Sequence, residues 1–210
     1  MQSSAQIFFS KRRKKNLFSL LIIAIGIALF FSYQIYYYFV DVQNNNLVKE
    51  YYQNEEVSEV NIKKINNGEI SDMEEYDGIL VIPKINLETG FYKKNSSKNN
   101  VGKSVTVLNE SIMPEESGSI VYLAAHSGLG HLAFFKDLDK LSKEDIIYLD
   151  YHQNKYSYVI RDIYEMPKNG KITVNHNINE KYLVLTTCSK NRNMQLVIVS
   201  KMLNRVWYNI

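Results

Sequence analysis

The sequence predicts an all-β domain, a barrel or a sandwich, held behind a single N-terminal transmembrane helix. Two observations carry this. A charge-free apolar run opens the chain just after a basic cluster. From Gly78 onward, short runs rich in β-branched and aromatic residues alternate with polar turns, and no long helical pattern separates them.

The N-terminal elements follow from charge and length. Residues 1–16 carry the dense run Lys11-Arg12-Arg13-Lys14-Lys15. Beside an apolar stretch this reads as a cytoplasmic flank rather than a nucleic-acid patch, and no nucleic-acid partner is expected. Residues 17–40 then exceed the ~20 apolar residues needed to cross a hydrocarbon core. Tyr36, Tyr37 and Tyr38 near their far end suit an interfacial aromatic belt. The run is too long for a cleaved signal peptide, and no small-residue cleavage site comes after it. With basic residues before the span and acidic ones after it, the N-terminus is expected in the cytoplasm and everything beyond Val40 outside the cell. Residues 41–75 are polar and acid-rich, with weak helical spacing at Leu47, Tyr51 and Val57, and read as a stalk.

The folded domain is expected over residues 76–210. Its candidate strands are Ile79–Ile82, Val105–Leu108, Ile120–Ala125, Ile146–Asp150, Lys155–Arg161, Ile172–Val174, Tyr182–Thr187 and Gln195–Met202. In the fifth, Tyr156, Tyr158 and Ile160 share one face, opposite Ser157, Val159 and Arg161. Helical spacing of Leu132, Phe135, Leu138 and Leu141 predicts one short helix. No repeat or low-complexity tract is present.

The chain has 210 residues, 25 basic and 22 acidic, and one cysteine, so no internal disulfide can form. Outside the cell an unpaired thiol is either buried and inert or reactive. Cys188 ends the apolar run Leu183-Val184-Leu185-Thr186-Thr187 and precedes the polar turn Ser189–Asn193, where rigid backbone meets solvent. Lys190 and Arg192 nearby favour its thiolate. His126 likewise ends an apolar run and precedes Ser127-Gly128. Its ordinary pKa of ~6.5 suits a group that protonates a leaving amine and later deprotonates an incoming one. Arg192 offers a permanently cationic fork of donors for a peptide carbonyl or a developing oxyanion. His131, His152 and His176 show no metal-ligand spacing with other side chains, and neither a phosphate loop nor a dinucleotide fingerprint is present, so no cofactor or metal is expected. Glu115 and Glu116 leave calcium dependence open.

Three stretches in order resemble the sortase family. Tyr76-Asp-Gly-Ile-Leu-Val-Ile-Pro-Lys-Ile85 is similar to its opening strand. Leu123-Ala-Ala-His126-Ser-Gly128, with Phe134–Leu138 and Lys143–Ile147 downstream, resembles its catalytic-histidine strand, the short helix after it and the turn into the next strand. Leu185-Thr-Thr-Cys188 looks like its nucleophile motif. The resemblance implies an eight-stranded sortase-type β-barrel with short helices. It implies a transpeptidase that cleaves a Leu-Pro-x-Thr-Gly-like signal at the C-terminus of secreted proteins and joins them to a cell-wall precursor amine. Cys188 would form the thioacyl-enzyme and His126 would act as acid and base, with Thr187, Ser127 and Gln195 beside the substrate. The family's arginine usually directly precedes the final strand, where this chain has Gln195. Its role is therefore carried to Arg192, with Gln195 as a neutral substitute. The chain ends without a second apolar span, which favours an anchoring enzyme, class B- or D-like, over a pilin-polymerising one. Two rival readings remain: a hydrolysing cysteine peptidase, and a tethered, non-enzymatic β-domain whose cysteine is buried.

Overall fold

The computed structural model describes residues 4–58, 76–174, 178–191 and 193–207. The chain divides into two compact units, Met1–Val42 and Gln43–Ile210. Helix α1 (Ser4–Ser58) supplies the first, and its stretch from Ser19 is long and apolar enough to cross a membrane. Leu20, Ile22, Ile25, Leu29, Phe31 and Phe39 are exposed along it.

The second unit is built on eight strands: β1 (Gly78–Ile82), β2 (Leu87–Phe91), β3 (Thr106–Val107), β4 (Ile120–Ala124), β5 (Ile146–Tyr151), β6 (Asn154–Pro167), β7 (Tyr182–Cys188) and β8 (Met194–Trp207). They form one sheet in the order β2-β1-β5-β6-β8-β7-β4-β3. A bridge between Phe91 and Val105 brings its two edges together, so the sheet is a nearly closed barrel. Register shifts between β6 and β8, at Ser157/Tyr158 and Ile160/Asp162, let these two 14-residue strands bend around the barrel.

Alternation decides what fills the inside. Tyr156, Tyr158 and Ile160 of β6 share one face, as expected, and that face points inward to meet Leu80, Phe91, Leu123, Leu149, Leu185 and Ile198 in the main core. The opposite face of β4, β7 and β8 carries a second apolar cluster: Ile120, Tyr182, Val184, Val197 and Val199. With apolar neighbours on both faces, residues 182–187 of β7 are all buried, which is why β7 reads as an unbroken apolar run.

Three local expectations are corrected. Residues 172–174 form no strand; Ile172 and Val174 instead lie against the outer cluster. The missing strand is β2, which comes after a 3-10 turn at Pro83–Ile85 and a left-handed Asn86 (φ 50°). No α-helix forms over Leu132–Leu141, where only Leu138–Lys140 makes a 3-10 turn. Phe135 N donates to His126 O (2.9 Å), not to a carbonyl four residues back, and Phe135, Leu138 and Leu141 drop into the core from a chain of turns. The end of α1, expected as part of the stalk, buries Val48 and Tyr51 against Ile79.

Candidate active site

Strands β4 and β7 run parallel, pairing Ile120 with Tyr182 through to Ala124 with Thr186. Two residues further along each strand stand His126 and Cys188. Paired strands lie about 4.8 Å apart, so their backbones are neighbours. Two side-chain hydrogen bonds extend the ladder past its end. Thr187 Oγ1 donates to Ala125 O (2.7 Å), and Ser127 Oγ donates to Cys188 O (2.6 Å). Alternation puts Cys188 on the face of Thr186, Val184 and Tyr182, and His126 on the face of Ala124, Tyr122 and Ile120. These are one and the same outer face, and both residues are exposed. The thiol is free and exposed, not buried as the non-enzymatic reading expected.

Thr187 and Gln195 fall on opposite sides of this sheet. Thr187 is buried and turned inward, so its hydroxyl ties β7 to β4. Gln195 pairs directly with Cys188 across the β7–β8 ladder. Its Oε1 accepts from Thr186 Oγ1 (3.2 Å) and its Nε2 donates to Pro167 O (3.3 Å). Arg192 lies outside the described residues, as does His176.

The cation expected beside the thiol has another partner. Lys190 Nζ pairs with Asp139 on the 3-10 turn downstream of His126, and that ammonium holds the Asp139 carboxyl below its usual range. Both side chains are solvent-exposed, so their field at Cys188 is strongly screened.

Sequence reasoning missed Glu165. Its carboxylate, near the end of β6, accepts from Ser189 Oγ and from Asn191 Nδ2 (2.5 Å) in the turn behind Cys188. A lone exposed acid in a strand gave no signal. His152 is in the β5–β6 turn, where Nδ1 lies 3.2 Å from Glu115 Oε1 and the ring stacks on Tyr151, so Glu115 has a partner within the protein. No cluster of three or more metal-ligating side chains occurs among the described residues.

A family model described as the Sortase domain matches residues 80–203. The chain is 24% identical over 155 residues to sortase A of Bacillus anthracis, covering 70% of this chain and 72% of that protein. Among solved structures, it is similar to sortase C of Streptococcus pneumoniae, with a TM-score of 0.58 at 21% identity over 81% of this chain and 95% of the other. The sortase D5 transpeptidase of Clostridium perfringens gives 0.58 at 19% identity, over 77% and 98%. At such identities the structural likeness speaks for the fold alone.

Proposed function

The chain belongs to the sortase family, a family of cell-wall transpeptidases, and we propose that it is a membrane-anchored cysteine transpeptidase with Cys188 as nucleophile and His126 as acid–base partner. The observation that carries this is the shared, exposed outer face at the adjoining ends of β4 and β7, fastened by the Ser127–Cys188 hydrogen bond.

The Cys188 thiolate attacks the carbonyl carbon of the scissile peptide bond, forming a C–S bond. As the C–N bond breaks, the imidazolium of His126 gives its proton to the departing amine. The thioester then meets an incoming amine. His126 takes that amine's proton, the new C–N bond forms, and the thiolate leaves. The substrates are secreted proteins with C-terminal, Leu-Pro-x-Thr-Gly-like sorting signals, and the acceptor is a peptidoglycan-precursor amine. The outer face of β4, β7 and β8 leads to Cys188; its apolar residues are already buried with Ile172 and Val174 packed against them, so the peptide is engaged at the exposed strand ends that carry Cys188 and His126. Arg192 is assigned to the substrate carbonyl or the developing oxyanion, with Gln195 as the neutral alternative across from Cys188. The apolar part of α1 anchors the enzyme with its N-terminus in the cytoplasm and residues beyond Val40 outside. Sortases C and D5 resemble the fold equally.

The test is product analysis with candidate signal peptides, with and without an added amine. Amine-dependent ligation is expected. Cys188→Ala abolishes it while peptide binding survives, and His126→Ala lowers kcat by about 10²–10⁴-fold. Free acid released at a rate indifferent to amine marks a hydrolase instead.

A further inference from the structure

We propose that Glu165 is a positioning residue for the reaction, clamping the turn behind Cys188 through Ser189 and Asn191. The inference rests on the reading of Cys188 as nucleophile.

Both carboxylate oxygens are engaged: Oε1 accepts from Ser189 Oγ and Oε2 from Asn191 Nδ2 (2.5 Å). Ser189 Oγ in turn accepts from Asn191 N (3.0 Å). Around this fork the turn closes on itself, with Ser189 N donating to Met194 O (3.0 Å) and Met194 N to Asn191 O (3.1 Å). Lys168 N, just past the end of β6, donates to Asn193 O (2.9 Å), and Asn193 adopts φ 67°.

Glu165 reaches this turn from behind. In register it pairs with Leu196, which pairs with Thr187, whereas Met166 pairs with Gln195 and Gln195 with Cys188. Glu165 therefore belongs to the face opposite the thiol, so it acts through the turn and not on the substrate. Cys188 is thus bracketed. Its carbonyl is held from the β4 side by Ser127, and the residue after it is held from the β6 side by Glu165. The Asp139–Lys190 pair meets the same turn through one exposed lysine, and such pairs contribute little.

The test uses the full chain in detergent micelles, comparing wild type, Glu165→Ala, Glu165→Gln and Ser189→Ala/Asn191→Ala. Hydrogen exchange is followed over residues 189–194 and over the barrel, and turnover is followed with a quenched-fluorescence peptide containing Leu-Pro-Glu-Thr-Gly. In Glu165→Ala, exchange accelerates in the turn and stays unchanged in the barrel, and kcat falls about tenfold, as misplaced catalytic groups imply. KM stays within about twofold, because no substrate contact is lost. Glu165→Gln keeps one acceptor and recovers part of the loss. Adding Glu165→Ala to the turn double variant costs far less than it does alone, since the same link is already broken. Unchanged turn exchange, unchanged kcat or additive losses overturn the proposal. A wild-type protein that never turns over the peptide overturns the transpeptidase reading instead, and turn exchange still decides whether the clamp exists.

Discussion

Tyr52→Phe isolates one atom in the contact between the end of α1 and the barrel. Tyr52 Oη donates to Asp150 Oδ2 at 2.7 Å, and Asp150 is fully buried, with Lys155 Nζ 3.7 Å from the same oxygen. Replacement by Phe keeps the ring and its packing and removes only the donor to a carboxylate. A hydrogen bond to a charged group is worth about 1.5–3 kcal/mol, so the loss is about 2 kcal/mol. For a domain of this size each kcal/mol moves Tm by about 2–4 °C, giving a fall of about 4–8 °C. The assay is thermal unfolding of a soluble version beginning at Gln43, repeated in urea, where the midpoint should fall at constant slope. A version beginning at Asp72 should lose more. It also gives up the burial of Val48 and Tyr51, each worth about 1.5–3 kcal/mol before the cost of ordering the helix. A Tm change under about 1 °C for Tyr52→Phe refutes the reasoning. So does a version beginning at Asp72 that is as stable as the longer one.

Two further outcomes are expected. Thr187→Val removes the tie between β7 and β4 at nearly constant volume. It should cost about 1 kcal/mol in urea unfolding while leaving KM for a signal peptide unchanged, because the hydroxyl faces Ala125 O and not the exposed face of Cys188. A large rise in KM at unchanged stability contradicts that placement. The second concerns pH. Hydrogen bonds from Ser189 and then Asn191 hold the Glu165 carboxyl below its ordinary 4.5. A depressed pKa means the clamp is complete above the ordinary value and is lost as pH falls through the lower, folded one. Turn exchange, corrected for its intrinsic rate, should therefore stay constant from neutral pH down to about pH 5 and rise only in stronger acid. A rise beginning between about pH 6 and 7 contradicts the carboxylate clamp.

The parts of the fold that hydrophobic runs encode were legible. β1, β4, β5, β7 and β8 each coincide with an apolar run, and Cys188 and His126 stand where such a run ends. β2 was hidden by its own packing. Gly90 reads as a turn residue, yet it sits mid-strand because the Tyr76 ring lies where a Cβ would go. The docking of α1 was hidden for a different reason. Beside the apolar contact of Val48 and Tyr51, many of its links are polar: Asn44 Nδ2 donates to Glu88 O (3.3 Å), Asn44 Oδ1 accepts from Tyr76 Oη (3.0 Å), and Tyr52 Oη donates to Asp150. Hydrophobic periodicity is blind to such links, and the acid-rich sequence around them looked like a solvated spacer. For Leu132–Leu141 the spacing was genuine but the geometry was not helical. Anchors three residues apart can also be delivered to a core by successive turns, and an isolated segment this short gains little from helix formation.

The site depends on parity more than on the identity of any loop. Thr186, Thr187 and Cys188 are consecutive, and their side chains go out, in and out. A slip of one residue in β7 would turn the thiol toward the core and Thr187 toward the outer face, so the exposure of Cys188 requires a register that cannot drift. Apolar burial on both faces of β7 does not supply this, since Leu183, Val184 and Leu185 could exchange faces at modest cost. The polar groups do. Thr187 reaches a carbonyl only when it points inward, and Thr186 reaches Gln195 and Leu196 O (3.1 Å) only when it points outward. A slipped strand would leave these hydroxyls without those partners, at about 1–3 kcal/mol for each buried group. The two threonines before the cysteine are therefore best understood as a register lock that keeps Cys188 on the exposed face.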